Sequence, residues 1–261
     1  MLLLNVKTFT IRKSSRRKAA GDMKITYLYN SGFTVDFGDL LLVFDCVSID
    51  ENRCISQGFL NRNYVERFSS VYFFVSHKHA DHYSKRIYDF CSKKVKYILA
   101  SGTPSVPSTA ESIVLRRSEK FCDDTLQVKA YGSTDLGVSF LIRARGVTLF
   151  FAGDLNCWHW TSQCPYDEEH AARQAFTDEL FFIKEDIGEA FSIDVAFFPV
   201  DPRMKGGYDD GALEFCAMFQ PTLFVPMHFR EEVAVPALFA QKVDTEVFII
   251  KKQGDVKEFN K

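Results

Sequence analysis

The chain has 261 residues, of which 46% are hydrophobic and 25% are charged, as is usual for a globular protein with a sizeable core. Its formal net charge of −2 excludes the overall positive field that draws proteins to nucleic acids or acidic membranes. The seven cysteines include no C-x-x-C pair, which argues against a disulfide framework and predicts reduced thiols in a cytoplasmic protein.

The first 22 residues differ from the rest of the chain. Residues 11–18 form a local basic cluster, and a regular strand pattern begins only at Met23. A solvated tail is the usual form of such a cluster, so we expect residues 1–22 to be an extension outside the core that can be disordered. The apolar start is too short for a secretory signal, and no window reaches the length of a membrane-spanning helix.

The first half of the remaining chain is predicted to be mostly β-sheet. Apolar and polar residues alternate around Phe33 and Val35, turn at Gly38, and resume over residues 40–44, which is typical of a β-hairpin. A uniformly apolar run at residues 71–76 predicts a buried strand, followed by helical spacing within residues 84–94. Further strands are expected at residues 96–101, 112–117, 125–131, 137–146 and 148–154.

The second half alternates helices and strands. A long amphipathic helix is predicted from Asp167 to Phe191, with Ala172, Phe176, Leu180 and Ile183 on one stripe. The elements expected after it are strands at 193–200, 222–229 and 246–252 and helices at 209–219 and 233–241. The pattern favours one layered α/β (α+β) domain over residues 23–261, with a helical insertion at about 158–191.

Three of the six histidines lie within six positions, and an aspartate accompanies them. His77, His79, Asp81 and His82 follow the buried strand and precede the helical segment. Strand ends are where a rigid scaffold presents functional side chains, and imidazole and carboxylate groups suit zinc, manganese or iron(II). A polar surface loop is the alternative, but four adjacent ligand-type residues after a buried strand favour a metal site.

Two other apolar strands end in residues of the same type. The run at 148–153 is followed by Asp154, and the run at 222–227 is followed by His228. Alone, each would be a surface polar group or a histidine capped within the fold. If the ends of all three strands meet at one edge of a sheet, we expect six ligands to converge.

The motif H-x-H-x-D-H at residues 77–82 resembles the central metal-binding motif of the metallo-β-lactamase superfamily. The resemblance spans Met23 to Lys252, and the segments around Asp135 and Asp154 look most like its lactonase-like branch. It implies a four-layer αββα sandwich with metals at one end, between the sheets. By this resemblance the first metal would be held by His77 and His79, the second by Asp81, His82 and His228, and Asp154 would bridge them.

One departure from the family pattern concerns the first metal. Members usually supply another histidine between the motif and the bridging aspartate, but residues 83–153 contain none. The first metal is then completed by Asp135, by His159 or by water, or the enzyme works with a single ion. For His159, packing in an aromatic wall is the alternative to a ligand or substrate contact, and for Cys157 a buried thiol is favoured over a metal ligand.

The resemblance predicts a metal-dependent hydrolase with one or two divalent ions, zinc first and manganese or iron as alternatives. A metal-activated water would attack a small ester, lactone, amide or phosphodiester, and Asp81 would orient that water and exchange its proton. A redox reaction is disfavoured, because the di-iron flavoproteins of the superfamily carry glutamate where this chain has His79. A nuclease-type phosphodiesterase and a non-catalytic metal-binding or sensing protein with a degenerate first site remain alternatives.

Two segments near the predicted metal site bear on how a substrate would reach it. The insertion at 158–191 either crosses the mouth of the pocket, which would favour small substrates, or simply covers a sheet face. The loop after the strand at 193–200 is expected to bring Asp201, Arg203, Lys205 and Tyr208 to the rim of the pocket, with a solvated loop as the alternative. Arg203 would contact an anionic group of the substrate. We expect a small-molecule substrate, no membrane partner and no nucleic-acid partner.

Overall fold

The computed structural model describes residues 22–47, 60–104, 106–158, 166–188 and 190–261. Apart from Asp22, the predicted extension at residues 1–22 lies outside these ranges, and so does His159. The strand predicted to open the core begins at Met23, as expected. None of the described helices is both long enough and apolar enough to cross a lipid bilayer.

The first of two sheets is formed by the amino-terminal half and one strand from the carboxyl terminus. Its members are β1 (Met23–Tyr29), β2 (Gly32–Asp36), β3 (Leu40–Phe44), β4 (Ser70–Val75), β5 (Val95–Ala100), β6 (Glu111–Leu115) and β14 (Val256–Phe259). They lie in the order β14-β1-β2-β3-β4-β5-β6. β2 and β3 pair antiparallel with Phe33 opposite Phe44, which confirms the predicted hairpin.

The second sheet also has seven strands and follows in sequence. Its members are β7 (Lys120–Cys122), β8 (Leu126–Tyr131), β9 (Ser139–Ala144), β10 (Val147–Phe151), β11 (Val195–Pro199), β12 (Leu223–Met227) and β13 (Glu246–Val247). They lie in the order β13-β12-β11-β10-β9-β8-β7. β10, β11 and β12 run parallel to one another, as do β3, β4 and β5 in the first sheet. Residues that follow parallel neighbours therefore gather at one edge of each sheet.

Phenylalanine rings fill the space between the two sheets. Phe44 stacks on Phe151 with ring centroids 4.7 Å apart, and Phe33 meets Phe197 edge-on at 5.1 Å. These four side chains are fully buried. Each aromatic pair adds to the stabilisation that burial of its apolar area already provides, so the two sheets are held face to face by this layer.

Helices cover the outer face of each sheet. α1 (Arg62–Glu66) and a 3₁₀ helix (Lys85–Phe90) pack against the first sheet, and α2 (Tyr166–Ile187), α3 (Asp210–Phe219) and α4 (Val235–Phe239) belong to the layer on the second. Phe176, Leu180 and Ile183 on the predicted stripe of α2 are fully buried. The layers run helix, sheet, sheet, helix, which confirms the predicted αββα sandwich.

Several element boundaries differ from the predictions. α2 ends at Ile187 rather than Phe191, because Gly188 takes a left-handed conformation with φ of 78° that ends the helix. The last strand predicted at 246–252 pairs only at Glu246 and Val247. Beyond them Phe248 and Ile250 are buried as core side chains without continuing the ladder. The sequence pattern also missed β14, a four-residue strand with two charged residues that forms the edge beside β1.

Candidate metal centre

Polar side chains follow five strands, two in the first sheet and three in the second, at one end of the sandwich. Asp45 follows β3, His77 follows β4 after one serine, and Asp154 lies after β10. Asp201 and His228 follow β11 and β12 in the same way. The predicted convergence of three strand ends is therefore present, and two further strand ends join it.

The carboxylate of Asp154 lies at the centre of three buried imidazoles. Its Oδ1 is 3.1 Å from Nε2 of His82 and 2.9 Å from Nε2 of His228, and its Oδ2 is 3.2 Å from Nε2 of His77. Burial alone would raise the pKa of Asp154, but His228, His77 and His82 together hold it well below its usual value. The carboxylate is therefore ionised, with both oxygens directed at ring nitrogens.

Two groups of possible metal ligands share Asp154. The inner triad consists of His82, Asp154 and His228, and the outer triad consists of His77, His79 and Asp154. In each triad the ligand atoms all lie within 4.8 Å of one another. The inner triad is buried throughout, but the side chain of His79 in the outer triad is 47% exposed.

The spacing of these atoms fits a small cation. Ligands bound at 2.0–2.1 Å around a tetrahedral ion lie about 3.3 Å apart, close to the distances around Asp154. Nε2 of His82 lies 3.0 Å from Nε2 of His228, and two such lone pairs repel unless a proton or a metal ion lies between them. Oδ1 of Asp154 is buried as well, and its short contacts with the Nε2 atoms of His82 and His228 lack the geometry of hydrogen bonds. The donors therefore fit a divalent metal.

Asp45 and Ser76 fix two of the rings from behind. Oδ2 of Asp45 lies 2.7 Å from Nδ1 of His82 and accepts a hydrogen bond from Oγ of Ser76 at 2.6 Å. The same Oγ lies 3.0 Å from Nδ1 of His77. Burial alone would lower the pKa of His82, but the carboxylates of Asp45 and Asp154 raise it to about 10. A carboxylate behind a metal-binding histidine orients the ring and makes it a better ligand.

Asp201 lies behind the ring of His228, as Asp45 lies behind the ring of His82. Its Oδ2 lies 3.4 Å from Nδ1 of His228, and its carboxylate accepts hydrogen bonds from the guanidinium of Arg203. Burial alone would raise the pKa of Asp201, but His228 and Arg203 lower it to about 2. Asp45 was not predicted at the site, and Asp201 was predicted only at the rim of the pocket and not behind a histidine. The signal was available, because each is an aspartate directly after an apolar strand, as Asp154 is.

Unusual backbone conformations bring these loops close together. Gly137, with φ of 80°, approaches the β4 end so closely that an added Cβ would lie 1.9 Å from the carbonyl oxygen of Ser76. His228 has φ of 68°, a left-handed conformation uncommon for residues other than glycine. Such conformations persist where the surrounding structure imposes them, and they concentrate at functional sites.

A cavity of about 370 Å³ opens onto the two triads. Its walls are formed by His79, Asp81, Thr134, Asp135, Asp154, Trp158, Arg203, His228 and Arg230. This volume is at the small end of the range for ligand pockets. Trp158, the first residue of the insertion, lines the cavity, but no described residue of α2 does. α2 packs on a face of the second sheet, which is one of the two predicted alternatives for this helix.

No sequence model of a protein family and no curated protein sequence matches the chain. Solved structures do match. Igni18, a metallo hydrolase from Ignicoccus hospitalis, aligns with a TM-score of 0.62 and 18% identity over 92% of this chain and 99% of its own. YhfI from Bacillus subtilis, a metallo-beta-lactamase fold protein, aligns with a TM-score of 0.60 and 13% identity over 92% of this chain and 100% of its own.

The fold is that of the metallo-β-lactamase superfamily. It confirms the fold expected from the motif at residues 77–82. CmlA, a diiron β-hydroxylase from Streptomyces venezuelae, shares this fold with a TM-score of 0.60 and 12% identity, over 92% of this chain and 54% of its own.

Within this metallo-β-lactamase fold, Asp81 lies beside the triads rather than in them. Its Oδ2 accepts hydrogen bonds from Arg230 at 3.1 Å and from Asn30 at 3.5 Å. Burial would raise the pKa of Asp81, but His82 and His228 lower it below the usual value. Asp81 is therefore an ionised acceptor on the cavity wall.

Asp135 occupies the region where the metallo-β-lactamase pattern usually has another histidine. Its Oδ2 lies 3.6 Å from Nδ1 of His79, and its side chain is 50% exposed. Thr134 beside it accepts a hydrogen bond from the backbone N–H of Asn156 at 3.0 Å, which ties this loop to the loop after Asp154. The structure thus brings Asp135 to the exposed side of the outer triad.

The remaining predicted residues divide between the wall and the interior. Arg203 reaches the cavity wall, but Lys205 and Tyr208 from the same loop do not line it. Cys157 is fully buried, and burial raises the pKa of its thiol to about 11, which agrees with the buried-thiol interpretation. Trp158 donates from Nε1 to the carbonyl oxygen of Asp154 at 2.8 Å. The prediction for His159 falls outside the described residues.

Proposed function

We propose that this protein is a metal-dependent hydrolase of small molecules, acting on an ester, lactone, amide or phosphodiester. The observation that supports it most directly is the convergence of three buried Nε2 atoms on the carboxylate of Asp154, at distances of 2.9–3.2 Å. Buried Nε2 atoms this close to one another are costly to the fold unless a proton or a metal ion lies between them, and two histidines with a carboxylate are a ligand set that divalent metals accept. The similarity of the fold to that of a metallo hydrolase agrees with it.

The inner triad would hold one divalent ion and the outer triad a second, with Asp154 shared. Asp135 is the best placed additional ligand of the outer ion, because its carboxylate is on the same side as His79. Zinc is our first choice of metal. Each triad has two histidines and one carboxylate, a set that iron and manganese also accept.

A divalent ion bound there would acidify a coordinated water and polarise the electrophilic carbon or phosphorus of the substrate. The protein's own groups supply orientation and proton transfer. Asp81 is ionised and faces the cavity, so it can accept a hydrogen bond from the attacking water and take its proton. Asp45 lies 2.7 Å from Nδ1 of His82, and Asp201 lies 3.4 Å from Nδ1 of His228, so both carboxylates favour the ring orientation in which Nε2 is directed inward.

We also propose a cytoplasmic location and a small-molecule substrate. The cavity volume of about 370 Å³ supports a small substrate. All five cysteines in the described part of the chain are free thiols, which suits a reducing compartment. Neither nucleic acid nor membrane is proposed as a partner, because the net charge of −2 provides no general attraction to polyanions.

The test is metal analysis combined with a panel of ester, lactone, amide, phosphodiester and RNA substrates. The full chain, reconstituted with zinc, manganese or iron, is compared with Asp154→Ala and with the control Asp124→Ala, an exposed aspartate outside the site. We expect metal-dependent hydrolysis of a small substrate by the wild type and the control only. A wild type that binds no metal would favour a non-catalytic protein, and turnover of RNA alone would favour the nuclease.

A further inference from the structure

Two arginines lie on the wall of the cavity that opens onto the triads. Arg203 and Arg230 both line it, and their side chains are 45% and 39% exposed. They come from loops after different strands, β11 and β12. Two guanidinium groups on the wall of one small cavity are suited to an oxyanion, because each presents a planar set of donors.

Each guanidinium is held in place by a carboxylate that also faces the histidines. Arg203 donates from Nε to Asp201 at 2.9 Å, and Arg230 donates from its guanidinium to Asp81 at 3.1 Å. These contacts limit the rotamers of two long side chains before any ligand arrives. Less conformational entropy is then lost when an anion binds, so the pair is preorganised.

Arg230 has a donor that the protein leaves unused. Its Nε is buried and has no hydrogen-bond partner among the described residues. Its backbone is in the left-handed region, with φ of 51°, only two residues after His228. A buried N–H without a partner is costly unless a ligand accepts its hydrogen bond, which argues against a purely structural role for this side chain.

The charge of the cavity changes when metal binds. Without an ion, the carboxylates of Asp81, Asp135 and Asp154 on its wall outnumber the two arginines. One divalent cation is enough to reverse that balance, and a second makes the cavity strongly positive. A loaded site of this kind attracts anions, and it does so more strongly than the metal alone because the arginines add to the field.

We propose that Arg203 and Arg230 form an anion-recognition pair, and that the substrate is a small molecule carrying a carboxylate or phosphate group apart from the bond that is hydrolysed. The inference rests on the proposed hydrolase function and deepens it by naming the substrate class. The guanidiniums bind the anionic group and hold the substrate against Trp158, so that its reactive bond faces the triads.

The test measures anion binding to the zinc-reconstituted full chain by isothermal titration calorimetry. Inorganic phosphate and acetate are the two probes, and neutral acetamide is the control ligand. The variants are Arg230→Gln and Arg203→Lys, which keeps a positive charge opposite Asp201. Arg116→Gln is the matched control, because Arg116 is an exposed, ion-paired arginine outside the site.

We expect the wild type and Arg116→Gln to bind at least one anion but not acetamide, and the relative affinity for phosphate and acetate indicates which group the substrate carries. Each site variant should bind that anion about 10-fold or more weakly, as loss of a charged hydrogen bond predicts. The proposed anion-recognition pair is contradicted if the wild type binds neither anion, or if either site variant binds the anion as tightly as the wild type.

Zinc content and hydrolysis of the neutral ester phenyl acetate are measured on the same samples. If the hydrolase proposal fails, the wild type shows no zinc-dependent hydrolysis, although anion binding can still depend on the arginines. If only the anion pair fails, hydrolysis of the neutral ester persists and the variants bind anions like the wild type. We expect both site variants to retain zinc, because neither arginine belongs to a triad. Hydrolysis of phenyl acetate is read in the wild type and in Arg116→Gln.

Discussion

The inner and outer triads share Asp154 but differ in their support. In the inner triad, His82 and His228 are fully buried, and a buried carboxylate lies behind each ring. In the outer triad, His79 is half exposed, and its nearest carboxylate, Asp135, is half exposed as well. Buried and oriented ligands lose less entropy on binding an ion, so we expect the inner triad to bind metal more tightly than the outer.

Asp154→Ala should have the largest effect, because it removes the carboxylate common to both triads. At a free zinc concentration on the order of micromolar, we expect the bound metal to fall below about half an equivalent per chain. We expect the rate of hydrolysis to fall by more than about 100-fold. Inductively coupled plasma analysis after gel filtration measures the metal. Retention of two equivalents would show that Asp154 does not hold the two ions together.

Asp45→Asn should weaken the inner triad selectively. It removes the negative charge behind His82, and loss of such a partner typically reduces metal affinity by about 10- to 100-fold. Competition with a coloured chelator measures the affinities of the two sites separately. Asp124→Asn is the control, since that aspartate is exposed and outside the site. An unchanged inner affinity would mean that Asp45 only supports the fold of the β4 end.

Asp135→Asn should weaken the outer triad and leave the inner one intact. If this carboxylate replaces the histidine that the family usually supplies, its loss should reduce the outer affinity by about 10-fold or more, so that one equivalent of metal remains. The same chelator competition measures it. A wild-type titration curve for this variant would leave His159 or water as the completing ligand.

Glu179→Gln should have the smallest effect, and only on the outer triad. Oε1 of Glu179 on α2 accepts a hydrogen bond from the backbone N–H of Gly132 at 2.6 Å, at the start of the loop that carries Asp135. The variant keeps an acceptor but loses the charge that pairs with Arg117. We expect a change of about two- to fivefold in outer-site affinity. A larger loss at the inner site would contradict the view that this helix positions one loop.

The histidines of both triads could be predicted from the sequence because each belongs to a local pattern. His77, His79 and His82 are adjacent in the chain, and Asp154 and His228 each follow an apolar strand. Parallel strands place such residues at one edge, which a pattern of apolar runs is enough to predict. Asp45 and Asp201 follow the same rule and were within reach of it.

Other features depend on packing that no local pattern records. Arg230 reaches the cavity because the chain turns through left-handed conformations at His228 and Arg230. Histidine and arginine do not predict such a conformation, so the turn could not be recognised from the sequence. β14 was missed because four residues, two of them charged, are too few to show an apolar period, and its identity comes from pairing with β1. The closeness of Asp135 to His79 depends on Gly137 meeting the end of β4 from the other sheet.

The contact between His82 and His228 joins residues 146 positions apart in the chain. A growing polypeptide therefore has no complete inner triad until β12 has been synthesised and has docked beside β11. Loading of the metal is consequently a late step of biogenesis, and an ion that reaches the nascent histidine motif early meets only part of its coordination sphere.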